Sequence, residues 1–364
     1  MYLSNSTAAD EGNSLTFFID LSTASAKTIT VNYSTTNGTA GDADYTTIPT
    51  PLTATFVAGQ TQFTVTIPIT EDTLDETDET FTVDLSNATN ATILNAQSTG
   101  TIQDDDDPPT ASINDVSADE GDGLSFTVSL STASGLDVSV AYSTTIGTAG
   151  NSDFISVMGS ATISAGDTTA TVTISSTEDT LLEADETFTV TLSSPSNTTL
   201  NDASGTGTIN NDDAPPAISI DDVTESEGDS FSFTVSLSTI SGLTTTVQYS
   251  TTIGTADNGD FTGKTGTATI PAGLDSTSVT ISSTEDPIDE PDETFFVNLS
   301  SPTNATLNDS QGQGTIQDDD DPPTASIASA EATEGNNINL TVTLSQYSSF
   351  VVSVPYSPSI SLGS

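Results

Sequence analysis

The sequence contains no cysteine, no histidine and no tryptophan, and only two of its 364 residues, Lys27 and Lys264, are basic. Without thiols it can form no disulfide and hold no thiolate nucleophile. Without imidazoles it lacks the commonest general base and the usual nitrogen and sulfur ligands of zinc, iron and copper. The 52 acidic residues leave a formal net charge of −50. Like-charge repulsion therefore argues against nucleic acid or an anionic lipid surface as partner. No apolar run approaches the roughly 18 residues that a membrane-spanning helix needs, so membrane insertion is not expected. Met1–Asp10 has neither a basic n-region nor an apolar h-region and does not read as a signal peptide. The absence of Cys is compatible with an oxidising exterior.

What is abundant is carboxylate, and it is placed periodically. Glu71–Phe81 reads EDTLDETDETF, Glu178–Phe188 reads EDTLLEADETF and Glu285–Phe295 reads EDPIDEPDETF, each 107 residues after the last. Clustered like charges cost stability unless something neutralises them. A hard cation does so, and Ca²⁺ accepts six to eight oxygen ligands in flexible geometry.

Other landmarks share this period. Glu11-Gly12, Glu120-Gly121, Glu227-Gly228 and Glu334-Gly335 open four units. Tyr33, Tyr142, Tyr249 and Tyr356 each follow 22 residues later, and Asp44, Asp153 and Asp260 each follow the opening Glu by 33. Thr101-Ile102, Thr208-Ile209 and Thr315-Ile316 close three units, and a Pro-Pro pair follows each closure. The expected domains are 1–107, 108–214, 215–321 and a partial fourth unit at 322–364. Pro-Pro stiffens each exit, so the domains are expected end to end as a rod.

High net charge raises the possibility of disorder, but Leu124-Ser-Phe126-Thr-Val128-Ser-Leu130 alternates as a half-buried strand does. In the second unit the pattern predicts seven strands: Thr110–Val116, Leu124–Ser131, Leu136–Ser143, Ser160–Ser164, Thr168–Ser175, Glu186–Ser193 and Ala203–Asn210. Seven short strands rich in Thr and Val within about 107 residues read as an all-β, antiparallel Greek-key sandwich of immunoglobulin type. The Tyr of the third strand alternates with Val and reads as a packing residue. Sequons at Asn32, Asn37, Asn87, Asn90, Asn197, Asn298 and Asn304 read as chance products of Asn/Thr-rich sequence.

In such a sandwich the first, third, fifth and seventh strands run the same way, so the segments that follow them meet at one tip. Those segments carry Glu120; Asp153; Glu178, Asp179, Glu183, Asp185 and Glu186; and Asp212 and Asp213. Four acidic clusters distant in sequence are thereby expected to converge, at the end where the next domain begins. A lone loop Asp is usually solvation. Convergence repeated three times points to a cation site.

With these residues in view the units resemble Calx-beta repeats. The matching features are the opening Glu-Gly, the Gly-Thr-Ala…Asp-Tyr/Phe segment, EDTLxExxETF, and the closing Thr-Ile-x-Asp-Asp-Asp. The resemblance covers three whole units and the front of a fourth, and implies several Ca²⁺ at the distal tip of each sandwich. It implies as ligands Glu11, Asp44, Glu71, Asp72, Glu76, Glu79, Asp104, Asp105 and Asp106 in the first unit, with the backbone carbonyl of Leu74. In the third it implies Glu227, Asp260, Glu285, Asp286, Glu290, Glu293, Asp318, Asp319 and Asp320, with Ile288 in the place of Leu74. The second unit, with Leu181 at that place, departs: Asn211 stands where the first Asp of the closing run belongs, and Ala214 replaces Asp107 and Asp321.

No nucleophile–base pair is visible, and acids at a convex tip suit ligation better than catalysis. The expected function is a calcium-binding structural or adhesive repeat protein, extracellular or on the cell surface. A calcium-sensing regulatory module of a larger protein is the alternative. The unfinished fourth unit, Pro322–Tyr356, carries an apolar face without the later strands to cover it, so head-to-tail self-association by strand exchange is a further expectation. Leu3 stands where other units place Ser112, Ser219 and Ser326, which puts the first strand of unit one out of the usual register.

Overall fold

The computed structural model describes residues 1–4 and 8–359, which form strands and turns with no helix among them. Backbone packing divides the chain into two units, Met1–Glu178 with Glu186–Ile209, and Asp179–Asp185 with Asn210–Ser364.

The first unit holds two sandwiches. One pairs a three-stranded sheet (Tyr2–Ser4, Ser14–Asp20, Gln62–Pro68) with a five-stranded one (Ala9–Asp10, Gln97–Gln103, Glu79–Thr89, Ile29–Asn37, Leu52–Phe56). The other pairs Thr169–Ser175, Gly123–Leu130, Thr110–Ile113 and Thr199–Asp202 with Val116–Asp119, Ser204–Asn210, Glu186–Ser196, Val138–Ile146 and Met158–Ile163. Alternation makes the core. Leu124, Phe126, Val128 and Leu130 are at most 9% exposed while the Ser and Thr between them face outward. Burying each such side chain contributes about 1.5–3 kcal/mol.

Three sequence expectations are corrected. The strand expected over Thr110–Val116 is two strands in two sheets, Thr110–Ile113 and Val116–Asp119. Side chains replace the ladder at the crossing: the Thr127 N–H donates to Asn114 Oδ1 at 2.6 Å and the Thr206 N–H to Asp115 Oδ1 at 2.7 Å. Asp221 and Asp222 do the same for Thr234 and Gln313. An extra short strand, Thr199–Asp202, runs parallel to Thr110–Ile113. Leu3, finally, is seated: it pairs with Ile19 as Ile113 pairs with Val128 and is 2% exposed. A one-residue slip restores its inward face. Asn5–Thr7, which join this strand to the next, lie outside the described residues.

The second unit holds the third sandwich. Its sheets are Ser276–Ser282, Ser230–Leu237, Ala217–Ile220 and Thr306–Leu307, and Val223–Ser226, Gln311–Gln317, Glu293–Thr303, Thr245–Ile253 and Thr265–Ile270. Every buried residue of its core lies between Ile218 and Ile316. Beyond it, only Ala325–Ile327 and Val342–Leu344 pair, so the expected third strand of the partial repeat is absent. Ile327, Leu340, Val342, Leu344 and Val354 are 40–59% exposed. An isolated hairpin with no second sheet is marginal in water, which accounts for the unformed strand.

Tyr33, Tyr142 and Tyr249 are half-buried and pack against the three cores. Asn90, Asn197 and Asn304 have φ of 56–59° and donate their side-chain amides to the carbonyls of Thr28, Asp137 and Thr244 at 2.9 Å. Asn tolerates this left-handed conformation. These sequons recur because they fix a turn, not by chance.

Candidate metal centre

Buried aromatics aim the acids. Tyr45, immediately after Asp44, stacks on Phe81, two residues after Glu79, with ring centroids 4.0 Å apart. Phe154 on Phe188 and Phe261 on Phe295 repeat the arrangement at 4.3 and 4.5 Å. Each stacked pair pins two acid-bearing segments to one core. The loop before the aromatic is tightened by its own Asp, since Asp44, Asp153 and Asp260 each accept a main-chain N–H three residues upstream at 2.6 Å. The Thr70, Thr177 and Thr284 N–H groups then donate to the carbonyls of these same Asp residues at 2.8 Å. The opening Glu is tied to the closing strand by the Glu11 and Glu227 N–H bonds to Gln103 and Gln317. Its neighbour Gly12 has φ 68°, and a methyl there would collide with the Glu71 carboxylate.

In the first sandwich these anchors assemble two groups. Glu11, Asp72 and Asp106 each offer an oxygen within 4.8 Å of the others, and so do Asp44, Glu76 and Glu79. In the third sandwich Glu227, Asp318 and Asp320 form such a group, and Glu293 hydrogen-bonds Asp260 with Glu290 and Asp257 close enough to act on its charge. Asp72 and Asp286 fold the acidic loop by accepting the N–H of Leu74 and of Ile288 at 2.8 Å. Asp104 and Asp318 accept the N–H of Glu76 and Glu290, tying the loop to the closing run. Asp105 and Asp319 are exposed between inward neighbours and join no group described above. Glu71 is exposed, and lies against Gly12 as Glu178 lies against Gly121 and Glu285 against Gly228.

The residues of the second repeat divide between the units. In the first, Asp153 and Glu186 share a hydrogen bond, and Glu120 precedes Gly121, which abuts Glu178. In the second lie Asp179, Leu181, Glu183, Asp212 and Asp213. Leu181 donates its N–H to Asp179, and Glu183 donates its own to Asn211 Oδ1 at 2.7 Å, as Glu76 does to Asp104.

The electrostatics are those of a site short of positive charge. Burial first, then Asp72, lifts Glu11 to about 7, and burial with Asp286 does the same for Glu227. Burial and the proton held with Asp44 lift Glu79 to about 7, and burial and Asp260 likewise lift Glu293. Glu11 Oε2 and Asp106 Oδ2, in one group, are buried and make no hydrogen bond; Glu227 Oε2 and Asp320 Oδ2 repeat this in the third sandwich. Buried carboxylate oxygens facing one another without a donor fit a cation between them. The donor set is all oxygen, which suits a hard divalent ion.

Sequence reasoning missed Asp75 and Asp289. Each is 8% exposed, and neither belongs to a group above. They face the following repeat instead. Ser134 Oγ donates to the Asp75 carboxylate at 3.3 Å and to its carbonyl at 3.2 Å, and Gly135 N–H donates to that carbonyl at 3.1 Å. Ser348 and Ser349 hold Asp289 in the same way. A signal was available: Ser25, Ser134, Ser241 and Ser348 each stand 14 residues after an opening Glu.

No curated protein matches the sequence. Similar solved structures include CBD12 from CALX1.2, 17% identical over 57% of this chain and 99% of that one, with a TM-score of 0.29. They also include the calcium binding domain CBD12 of CALX1.1, 22% identical over 51% and 76%, TM-score 0.27. The apo-form Calx CBD1 domain is 27% identical over 29% and 100%, TM-score 0.28. The Calx-beta domain family matches residues 5–106, 104–214 and 211–320. With matches across nearly the whole length, on the segments that carry the acidic tips, this chain belongs to the Calx-beta family.

Proposed function

We propose that the chain is a calcium-binding repeat protein in which Ca²⁺ sets the stiffness of the repeat junctions. The observation that carries the reading is the pair of buried, donorless carboxylate oxygens on Glu11 and Asp106, repeated on Glu227 and Asp320. Glu11, Asp72 and Asp106 would hold one ion, and Asp44, Glu76 and Glu79 a second. The equivalent residues would act in the third repeat, and Glu120, Asp153, Glu178, Asp179, Glu183, Glu186, Asp212 and Asp213 in the second. Family membership supports calcium over other cations, and each complete repeat would take several ions.

Coupling to the junction follows from adjacency. Glu76 is a ligand in this reading, and Asp75 beside it holds Ser134 of the next repeat. An ion that fixes Glu76 therefore fixes the contact. Without it, the repelling carboxylates of that loop have no common partner. Such a device suits a structural or adhesive role where free Ca²⁺ is plentiful, outside the cell or at its surface. The chain shows no nucleophile–base pair to support catalysis, and none of the described helices is long and apolar enough to cross a membrane.

The test is calorimetric titration with Ca²⁺ and Mg²⁺ on the chain and on its Glu11→Gln/Glu227→Gln variant, with hydrogen exchange read at Gly135. Ca²⁺ should bind, the variant should lose sites, and Gly135 should become protected. Binding unmoved by the two substitutions would refute the site. Protection unmoved by Ca²⁺ would refute the coupling.

A further inference from the structure

In all three junction contacts the acidic loop of one repeat rests on the same two residues of the next, the Ser 14 positions after the opening Glu and its successor. Ser134–Gly135 takes the Asp75 carbonyl, Ser241–Gly242 the Leu182 carbonyl and Ser348–Ser349 the Asp289 carbonyl, at N–H···O distances of 3.1, 2.9 and 3.0 Å. The ledge has a fixed local build. The serine Oγ accepts the N–H two residues on, at 3.1 Å from Leu136, Leu243 and Phe350. The serine carbonyl of the second and third repeats also accepts a turn glycine, Gly166 or Gly273, at 2.8 Å.

The first repeat has this ledge fully formed. Ser25 Oγ accepts the Lys27 N–H at 3.0 Å, and the Ser25 carbonyl accepts Gly59 N–H at 3.0 Å. Yet among the described residues no loop lies on it. Ser134 and Ser241 are 1% exposed, whereas Ser25 is only half-buried and Ala26 and Lys27 are exposed. Ala26 in place of Gly is no obstacle, since Ser349 carries a side chain at that position while donating to Asp289.

Its charge indicates what it receives. Lys27, one of two basic residues in the chain, occupies the place of Leu136, Leu243 and Phe350. At the covered ledges a carboxylate-bearing side chain lies alongside: Glu76 against Gly135 and Glu183 against Gly242. A cation here, on a chain of net charge −50, complements an incoming acidic loop. Of the three acidic loops, the third is the one held by an open ledge: Ser348 is half-buried and Ser349 exposed. That contact is therefore the most exchangeable.

We propose that Ser25, Ala26 and Lys27 form a docking ledge for the third-repeat acidic loop, through Asp289 and Glu290, of a second copy of this chain. The contact is heterologous, so it propagates rather than closes. It uses no strand exchange, and the seated Leu3 strand leaves the first sandwich no vacancy for one. It needs no cation, so its failure would leave the calcium reading standing.

Removing residues 322–364 frees the donor loop and touches no buried residue of the third core. Sedimentation equilibrium in Ca²⁺ buffer, from about 10 μM to about 1 mM, should show self-association of residues 1–321, as expected for a contact of a few hydrogen bonds and one ion pair. The full chain should associate more weakly, because its own Ser348–Ser349 competes. Lys27→Glu, an exposed change that leaves the fold intact, should weaken association of 1–321 at least about tenfold. A monomer at about 1 mM, association indifferent to Lys27→Glu, or a full chain that associates as well as 1–321 would each overturn the proposal.

Discussion

Calcium binding should expel protons, and the number should collapse between pH 6 and pH 8. Glu11, Glu79, Glu227 and Glu293 each sit near 7 in the cation-free protein. A ligating carboxylate must be ionised. At pH 6 a group of pKa 7 is about nine-tenths protonated, so loading the first and third repeats should release about 3–4 protons per chain. At pH 8 the same four groups hold about 0.4 proton in all. Titration calorimetry in two buffers of different ionisation enthalpy reads this number directly. Apparent affinity should rise with pH over the same interval. Stability of the cation-free protein should move oppositely. These folded pKa values lie above the unfolded carboxylate value of 4.5, so the native state binds more protons between about 4.5 and 7, and stability falls as pH rises through that window. A release of less than one proton at pH 6, or a release equal at pH 6 and pH 8, would refute the assignment of these glutamates as ligands.

Ca²⁺ should raise the melting temperature well above its value in EDTA, and equimolar Mg²⁺ much less, since Mg²⁺ demands octahedral geometry and sheds water reluctantly; equal shifts would count against a flexible multidentate site. Asn211→Asp should raise the calcium affinity of the second repeat, measured by competition with a chelating dye; an unchanged affinity would show that ligand charge does not limit it. Asp75→Leu, which copies Leu182, should remove the Ser134 side-chain bond but keep the main-chain one, at a cost of about 1 kcal/mol once relief of the buried carboxylate is counted; exchange at Gly135 measures it. Gly12→Ala should destabilise the first sandwich by more than about 1 kcal/mol, because φ of 68° and the Glu71 carboxylate both exclude a methyl; an unchanged melting curve would contradict this.

The sandwich was legible because its strands alternate strictly and its landmarks repeat. Phe126, Val128 and Leu130 could face only one way. The convergence of Glu11, Asp72 and Asp106 was legible for the same reason: once strand direction is set, topology places the loops. The local detail was not. Nothing in the alternation of Thr110–Val116 marks the sheet change, because Asn114 and Asp115 read as turn formers and reveal their N–H acceptors only in three dimensions. Asp105 was counted with Asp104 and Asp106 because composition does not distinguish them, yet the extended backbone turns alternate residues outward. Asp75 was hidden among ligands of its own type; its partner, Ser134, is 59 residues away.

The second repeat shows that loop geometry and loop charge are separable in this chain. Asn211 keeps the acceptor that organises the acidic loop, since its Oδ1 takes the Glu183 N–H at 2.7 Å as Asp104 takes that of Glu76 at 2.9 Å. Its amide then turns to the Asp213 carbonyl at 3.3 Å. The substitution thus removes a negative charge without removing the turn. Leu182 does the same at the junction: its carbonyl still receives Gly242 and Ser241, but no carboxylate reaches the serine. Ala214 removes a third charge from the same repeat. Three independent positions change in one direction, each sparing the main-chain contact. Graded ligand charge tunes calcium affinity. A repeat with less charge on the same scaffold therefore fills later than its neighbours, and the junction it governs stiffens last as the cation concentration rises.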